Sequence, residues 1–337
     1  MNILAIETSC DDTCIAIIKT SGRKKPCFKI LSNIVSSQIE VHKKYGGVYP
    51  TLARREHKKN LPLVLEKALK KIKRPKIDLI AVTAGPGLDP CLWTGINFAK
   101  DLSKKWDLPI VPVNHIESHI LVNFIDRLPT FPAICLVVSG GHTQLILMQG
   151  IGKYKILGET RDDAAGECFD KVARILGLGY PGGPAIASQC KSQIPSTKSQ
   201  TNPKSQAPNI KLPRPMINQK NYDFSFSGLK TAVLYKYKNK KYIKEMCKEV
   251  QQAIIDILIK KTIKAAKDYR VKTIILGGGV SANKELRKQF KSKWEYNLLV
   301  PSKEFSTDNA VMTGIAGYFG KPKNWQKIKA DANLRIC

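Results

Sequence analysis

Ile3-Leu4-Ala5-Ile6-Glu7-Thr8-Ser9-Cys10-Asp11-Asp12-Thr13-Cys14-Ile15-Ala16-Ile17-Ile18 sets the frame for the whole chain. The apolar run at residues 3–6 reads as a strand, residues 7–13 as a polar turn, and residues 14–18 as a returning strand. The same plan recurs far downstream, as a strand at 134–138, a small turn Ser139-Gly140-Gly141-His142-Thr143, and a second strand at 144–148. Both turns can wrap backbone N–H groups around a phosphate. Recurrence over so long an interval implies a duplicated lobe rather than a short-period repeat.

Helical segments lie between and beyond the hairpins. Leu61, Val64, Leu65, Ala68 and Leu69 place one apolar face along residues 60–71, at the spacing of a helix. Ile243, Met246, Val250, Ile254, Ile257 and Leu258 do the same along residues 242–268. That helix leads into an almost wholly apolar strand at 271–276 and then Gly277-Gly278-Gly279. Strands alternating with helices predict an α/β architecture. Residues 188–210 break the pattern, being rich in Ser, Gln, Lys, Pro and Asn, and read as a polar surface insertion.

Composition narrows the partners. The 337 residues suffice for two domains or one two-lobed unit, and 43% hydrophobic against 25% charged residues is a folding composition. Lys and Arg number 56 against 27 Asp and Glu, a formal net charge of +29. Such a field favours phosphate-rich partners, since each neutralised phosphate releases condensed counterions. Lysine spread along most of the chain also fits a generally Lys-rich proteome. Nine Cys occur without a repeated C-x-x-C pair, which predicts neither a zinc ribbon nor a disulfide framework and points to a reducing cytoplasm. No signal peptide is recognised, and apolar runs such as residues 133–138 fall far short of a membrane span, so no membrane partner is expected.

The densest chemistry is Asn114-His115-Ile116-Glu117-Ser118-His119. On a helix, His115 and His119 sit one turn apart on one face, where both imidazoles reach a single metal ion. A polar helix face would carry the same spacing. The order differs from the H-E-x-x-H of zinc proteases: Glu117 lies about 200° round the helix from His115, so a protease is disfavoured. Asp308, within Phe305-Ser306-Thr307-Asp308-Asn309-Ala310 ahead of a small-residue helix at 311–319, is either a third ligand or a helix cap. Two His and one carboxylate leave coordination positions open, as a Lewis-acid site requires. Gly277-Gly278-Gly279-Val280-Ser281-Ala282-Asn283 follows a buried strand and opens a helix, so it can offer N–H groups to an anion. It is neither G-x-G-x-x-G nor a Walker loop. Tyr180-Pro181-Gly182-Gly183-Pro184 and Thr83-Ala84-Gly85-Pro86-Gly87, taken alone, read as turns.

Together these segments resemble the TsaD group of tRNA threonylcarbamoyl transferases in its bacterial form. The likeness runs through Ile6-Glu7-Thr8-Ser9-Cys10-Asp11, Tyr45-Gly46-Gly47-Val48-Tyr49-Pro50, Ala53-Arg54-Arg55-Glu56-His57 and Val138-Ser139-Gly140-Gly141-His142-Thr143. It continues through Phe169-Asp170-Lys171, Phe224-Ser225-Phe226-Ser227-Gly228-Leu229-Lys230 and Ser306-Thr307-Asp308-Asn309. The resemblance implies a two-lobed actin-like ATPase fold, ribonuclease H-like and duplicated. Its N-terminal lobe would span residues 1–112, completed by a helix at about 309–320. The C-terminal lobe would span 113–308 with the insertion at 188–210, and residues 321–337 would form a basic tail.

The resemblance also implies site residues and partners. His115, His119 and Asp308 would hold one divalent metal ion, with iron favoured and zinc the alternative. Val137, Val138, Ser139, Gly140, Gly141, Asp170, Gly183 and Asn283 would hold an adenylate. Asp11 would orient metal-bound water or the acceptor amine. The implied donor is threonylcarbamoyl-adenylate, and the acceptor is N6 of the adenosine 3′ of the anticodon in tRNAs reading A-starting codons. A paralogous TsaB-like subunit and a TsaE-like P-loop ATPase are the implied protein partners. Asp12 stands where bacterial members commonly have Glu, and Ser118 where they usually have Gly.

Two other readings meet part of this pattern. An actin-like-fold kinase or chaperone ATPase would bind ATP between the two hairpins but would not need the paired histidines. A noncatalytic tRNA-binding scaffold is favoured by charge but not by a complete ligand set. Residues 190–241 hold eleven Lys and Arg and one acid, Asp223, interleaved with Tyr222, Tyr235 and Tyr237, and are expected to contribute to the tRNA surface. Arg54, Arg55 and Lys58 are the alternative.

Overall fold

Two five-stranded sheets with the same strand plan carry the chain. The computed structural model describes residues 1–22, 26–72, 75–191, 210–237 and 242–336. In the first sheet β1 (Asn2–Glu7) and β2 (Asp12–Ser21) form the expected hairpin, and β3 (Cys27–Ser37) extends it antiparallel. After α1 (Ile39–Lys43) and α2 (Pro50–Lys70), β4 (Leu79–Gly85) returns parallel to β1. After α3 (Asp89–Trp106), β5 (Ile110–Asn114) pairs parallel with β4, giving the order β3-β2-β1-β4-β5.

The second sheet repeats this. Beyond α4 (His115–Leu121), β6 (Ala133–Val138), β7 (Thr143–Gly150) and β8 (Lys153–Glu159) form an antiparallel meander. There follow α5 (Ala165–Ile175), α6 (Gly182–Lys191), α7 (Ser227–Lys236) and α8 (Ile243–Asp268). Then β9 (Thr273–Gly277) lies parallel to β6 and, after α9 (Lys284–Lys293), β10 (Asn297–Leu299) lies parallel to β9. The order β10-β9-β6-β7-β8 is the first sheet's plan again, so the recurring strand–turn–strand pattern marks a duplicated unit.

The period-2 pattern of each central strand explains the layering. In β1, Ile3 and Ala5 face a core shared with Ala133, Cys135 and Val137 of β6. Leu4 and Ile6 face the other way, onto Leu61 and Val64 of α2 and Ile96 and Ala99 of α3. Two helices fill the space between the sheets, α4 with Ile116 and Ile120, and α10 (Ala310–Phe319) with Val311, Met312 and Ile315. A helix enclosed in this way is apolar nearly all round. It must also be thin: a Cβ on Gly317 would lie 2.4 Å from Ala81 Cβ of β4. The outer face of the second sheet packs Ile134 and Leu136 on α5 and α8.

Residues 321–336 run back along the first sheet, where Lys323 N donates to Ile110 O and Asp331 N to Ala84 O, both at 2.9 Å. Ile328 and Ile336 are buried there. Of the polar insertion, residues 192–209 lie outside the described residues. Among the described residues no helix is long and apolar enough to cross a membrane.

Candidate active site

The site begins where β5 ends. Asn114 caps α4 through Oδ1, which accepts from Ile116 N at 2.8 Å and Glu117 N at 3.1 Å. That cap sets the helix register and brings the His115 and His119 rings face to edge, 4.6 Å between centres. Glu117 points elsewhere and accepts from Tyr154 Oη at 2.7 Å. From the start of α10, Asp308 Oδ1 comes to 3.2 Å from His119 Nε2 and 3.7 Å from His115 Nε2. The cap of α10 is Asn309, whose Oδ1 accepts from Met312 N, so Asp308 is left to face the histidines.

A divalent ion fits these residues. Their ligand atoms all lie within 4.8 Å of one another. Atoms bonded to one ion at about 2.1 Å and at tetrahedral or octahedral angles stand about 3.0–3.4 Å apart, near the 3.2 and 3.7 Å from Asp308 to the two histidines. His119 is buried, its Nδ1 has no hydrogen-bond partner, and its Nε2 meets only the Asp308 carboxylate at 3.2 Å. An orphaned imidazole costs stability unless something binds it. His115 turns its Nδ1 to Glu7 Oε2 at 3.3 Å and Ser9 Oγ at 3.1 Å. A carboxylate behind Nδ1 keeps the proton of the neutral ring there, so that an ion displaces only the proton on Nε2.

Electrostatics favour a positive centre here. Burial opposes charge on His115, but Asp308 and Glu7 on either side outweigh it and raise its pKa to about 9. Burial likewise opposes ionisation of Asp308, yet the histidines hold its carboxyl down to about 2. His119 is pushed below the ordinary imidazole value by burial, and by His115 beside it.

Five of the expected adenylate-binding residues, 137–141, lie at the carboxyl end of β6. Val137 and Val138 are buried in that strand. The turn beyond it is closed by Ser139 N donating to His142 O at 2.8 Å and His142 N to Ser139 Oγ at 3.1 Å. At Gly140 and Gly141 an added Cβ would meet nothing within 4 Å, so the turn's backbone stands open. Gly278, with φ +83°, passes so close that a Cβ would lie 2.4 Å from Val138 O. Asp170 on α5 accepts from Gly182 N at 2.6 Å, and burial with help from Asp11 raises it to about 6. Gly183 is open on its Cβ side. Asn283 differs: its Oδ1 caps α9 at Glu285 N and Leu286 N, and its Nδ2 donates to Gln251 Oε1. Its oxygen is taken up by α9, and its Nδ2 keeps a second N–H beyond the one given to Gln251.

Asp11 lies in the first turn, where its carbonyl accepts from Gln38 N at 3.2 Å. Burial raises its pKa, and Asp308 adds to the effect. Burial takes the neighbouring Asp12 up to about 7, against a hydrogen bond from Ser37. Glu7 and His142 are the residues whose place sequence reasoning missed. The signal for Glu7 is a charge closing an otherwise apolar strand. His142 has its ring 6.5 Å from that of His115 and is depressed to about 4, by burial and then by the two histidines.

The family model for TsaD, tRNA N6-adenosine threonylcarbamoyltransferase, matches residues 29–315. The chain belongs to this family. A TsaD relative from Thermosipho africanus, named tRNA N6-adenosine threonylcarbamoyltransferase, is 48% identical over 346 residues, 99% of this chain and 98% of the relative. This TsaD chain is therefore a transferase of tRNA modification. Its fold is that of T. kodakarensis HypF, with a TM-score of 0.59 at 14% identity over 95% of this chain and 47% of that one. It also matches the activator of 2-hydroxyisocaproyl-CoA dehydratase from Clostridium difficile, with a TM-score of 0.52 at 13% identity over 95% of each chain. These neighbours place the TsaD chain in the actin-like ATPase fold.

The division of labour between Asp308 and Asn309 is testable. Asn309→Ala should lower stability by about 1 kcal/mol, the cost of a lost N-cap, and leave metal content unchanged. Asp308→Ala should do the reverse, removing metal while the thermal midpoint of the metal-free protein holds. Equal metal content in the two variants, measured by elemental analysis, would assign Asp308 a structural role only.

Proposed function

We propose that the chain transfers the threonylcarbamoyl group from threonylcarbamoyl-adenylate to N6 of the adenosine immediately 3′ of the anticodon, in tRNAs reading A-starting codons, and releases AMP. The observation that carries this reading is the His115, His119 and Asp308 cluster beside the open Ser139-Gly140-Gly141 turn. One iron ion is the favoured occupant of the cluster, with zinc the alternative, and when bound it would supply Lewis-acid stabilisation to negative charge growing on the carbamoyl oxygen.

The chain's own residues meet the other needs of the reaction. The N6 amine attacks the carbamoyl carbon, the carbon–oxygen bond to the phosphate breaks, AMP leaves with the electron pair, and the proton lost from N6 passes to the departing phosphate or to water. Backbone N–H groups at Gly140 and Gly141 receive the phosphate or the oxyanion, while Ser139 N holds the turn shut on His142 O, and the bare glycines let a ligand approach the backbone. Asp11, half-buried in the facing turn, orients the acceptor amine. The anticodon loop presents an unpaired base, which an enzyme acting on a base edge requires.

Labelled threonylcarbamoyl-adenylate incubated with tRNA should give label on that adenosine and one AMP per transfer. No transfer in any combination with partners overturns the reading. A TsaB-like paralogous subunit and a TsaE-like P-loop ATPase are the proposed partners, and the chain has no G-x-x-x-x-G-K-[ST] segment to replace the latter. The isolated chain should therefore complete about one turnover or fewer. Sustained turnover without partners, followed by AMP release, would remove that requirement.

A further inference from the structure

The rim of the cleft carries an aromatic pair that the transfer chemistry does not use. Tyr45 and Tyr49 are 52% and 56% exposed, with ring centres 5.8 Å apart and planes 27° apart. One exposed tyrosine needs no explanation, but two stacked rings fixed beside a ligand cleft do.

The loop that carries them is tied on both sides. Gln38, before α1, donates its N–H to Asp11 O, and His57 of α2 bonds through Nε2 to Cys10 O at 2.9 Å. Both flanking helices are thus pinned to the Asp11 turn. Within the loop, Tyr49 N donates to His42 Nδ1 at 3.3 Å. From the opposite lobe, Arg174 of α5 donates to Gly46 O, one helical turn from Asp170. Gly46 has φ +66°, and a Cβ there would lie 3.0 Å from the Arg174 guanidinium. The rings therefore stand where the two lobes meet, on the Asp11 side.

Their surroundings select the ligand. Lys44 Nζ lies 5.0 Å from the centre of the Tyr45 ring. Residues 43–59 hold six basic side chains, Lys43, Lys44, Arg54, Arg55, Lys58 and Lys59, against Glu56 alone. Flat π faces among cations match a nucleic acid whose bases are unpaired, since stacking needs an open base and the cations take its phosphates. A duplex offers no base face to stack on.

We propose that Tyr45 and Tyr49 form a stacking platform for an unpaired base of the tRNA anticodon loop, a neighbour of the acceptor adenosine. This inference rests on the proposed tRNA transfer. Stacking holds the loop at the rim while the acceptor base enters between the lobes, and it is tolerant of which base is stacked.

The test compares Tyr45→Ala/Tyr49→Ala with Tyr45→Phe/Tyr49→Phe in the full chain with its partners. Binding of an anticodon stem-loop carrying 2-aminopurine beside the acceptor position is followed by fluorescence. The double Ala variant should bind about 10-fold or more weakly, with the fluorescence quench lost and the salt slope of binding unchanged. The Phe pair should keep both affinity and quench. Affinity for threonylcarbamoyl-adenylate and for a duplex RNA of equal charge should be the same in all three proteins. A double Ala variant that binds and quenches like the parent, while the parent modifies tRNA, sinks this inference alone. Loss of subunit association in the Ala variant, with stem-loop affinity intact, makes the pair a protein contact and also refutes it. A parent protein that neither binds nor modifies tRNA refutes the proposed function instead.

Discussion

His119→Ala should lose stoichiometric metal and at least about 1,000-fold of its transfer rate, because Lewis-acid stabilisation by a bound ion is worth several kcal/mol. The fold should survive. His119 is 1% exposed, and the one group its removal deprives of a neighbour, Asp308, still faces His115 at 3.7 Å. Replacing an unsatisfied buried polar ring by a methyl group sets a cavity cost against relief of a desolvation cost. The thermal midpoint of the metal-free proteins should therefore move little, which separates this variant from one that merely unfolds. Elemental analysis and single-turnover transfer check it together. Normal metal content with full transfer would exclude His119 as a ligand.

The parts of this site legible in the sequence are those set by local spacing. The two strand–turn–strand segments and the i, i+4 histidines follow from periodicities of two and of about 3.6, and β1, β6 and α4 bear them out. Features set by tertiary packing were not legible. The strand β3 is an edge with a mixed pattern, including Lys29, Ser32 and Asn33, so it shows no clean alternation until it pairs with β2. The helix α2 begins at Pro50, well before its apolar face at residues 60–71, because its first turns are basic and Pro62 interrupts the later ones. In α3 the buried row of Leu92, Gly95, Ile96 and Ala99 passes under Thr8, where a Cβ on Gly95 would lie 2.2 Å from the hydroxyl. The choice between Asp308 and Asn309 as cap also needed coordinates, since both residue types cap helices equally well. Asn283 shows the same limit from the other side, because only packing against Gln251 and α9 reveals that its oxygen caps a helix and that one of its N–H groups is taken.

Glu7→Gln should weaken metal binding by about 10- to 100-fold without touching a ligand, the usual effect of losing the group behind a ligating histidine. Glu7 is fully buried and collects donors from four places. Ser9 N donates to Oε1 at 2.6 Å, and Thr83 Oγ1 of β4 to Oε2 at 2.5 Å. Thr313 Oγ1 of α10 donates to Oε2 at 3.2 Å, and His115 Nδ1 lies 3.3 Å from the same atom. Burial opposes its charge, but His115 outweighs burial and holds the carboxyl below its ordinary value. Gln keeps the shape and changes the pattern of donors. Its single oxygen must serve Ser9 N, whose N–H cannot turn, so its NH2 group falls among the threonine hydroxyls and His115. The hydroxyls can rotate to accept, but an imidazole facing an NH2 must present a lone pair at Nδ1. The proton then moves to Nε2, the atom that faces Asp308 at 3.7 Å, and blocks the position an ion would need. Loss of hydrogen bonds to a charged group should also lower stability by about 1.5–3 kcal/mol. Metal titration of the refolded variant, with 15N chemical shifts of His115 to read the tautomer, separates the two effects. An unchanged metal affinity with Nδ1 still protonated would show that Glu7 joins β1, β4 and α10 without governing the histidine.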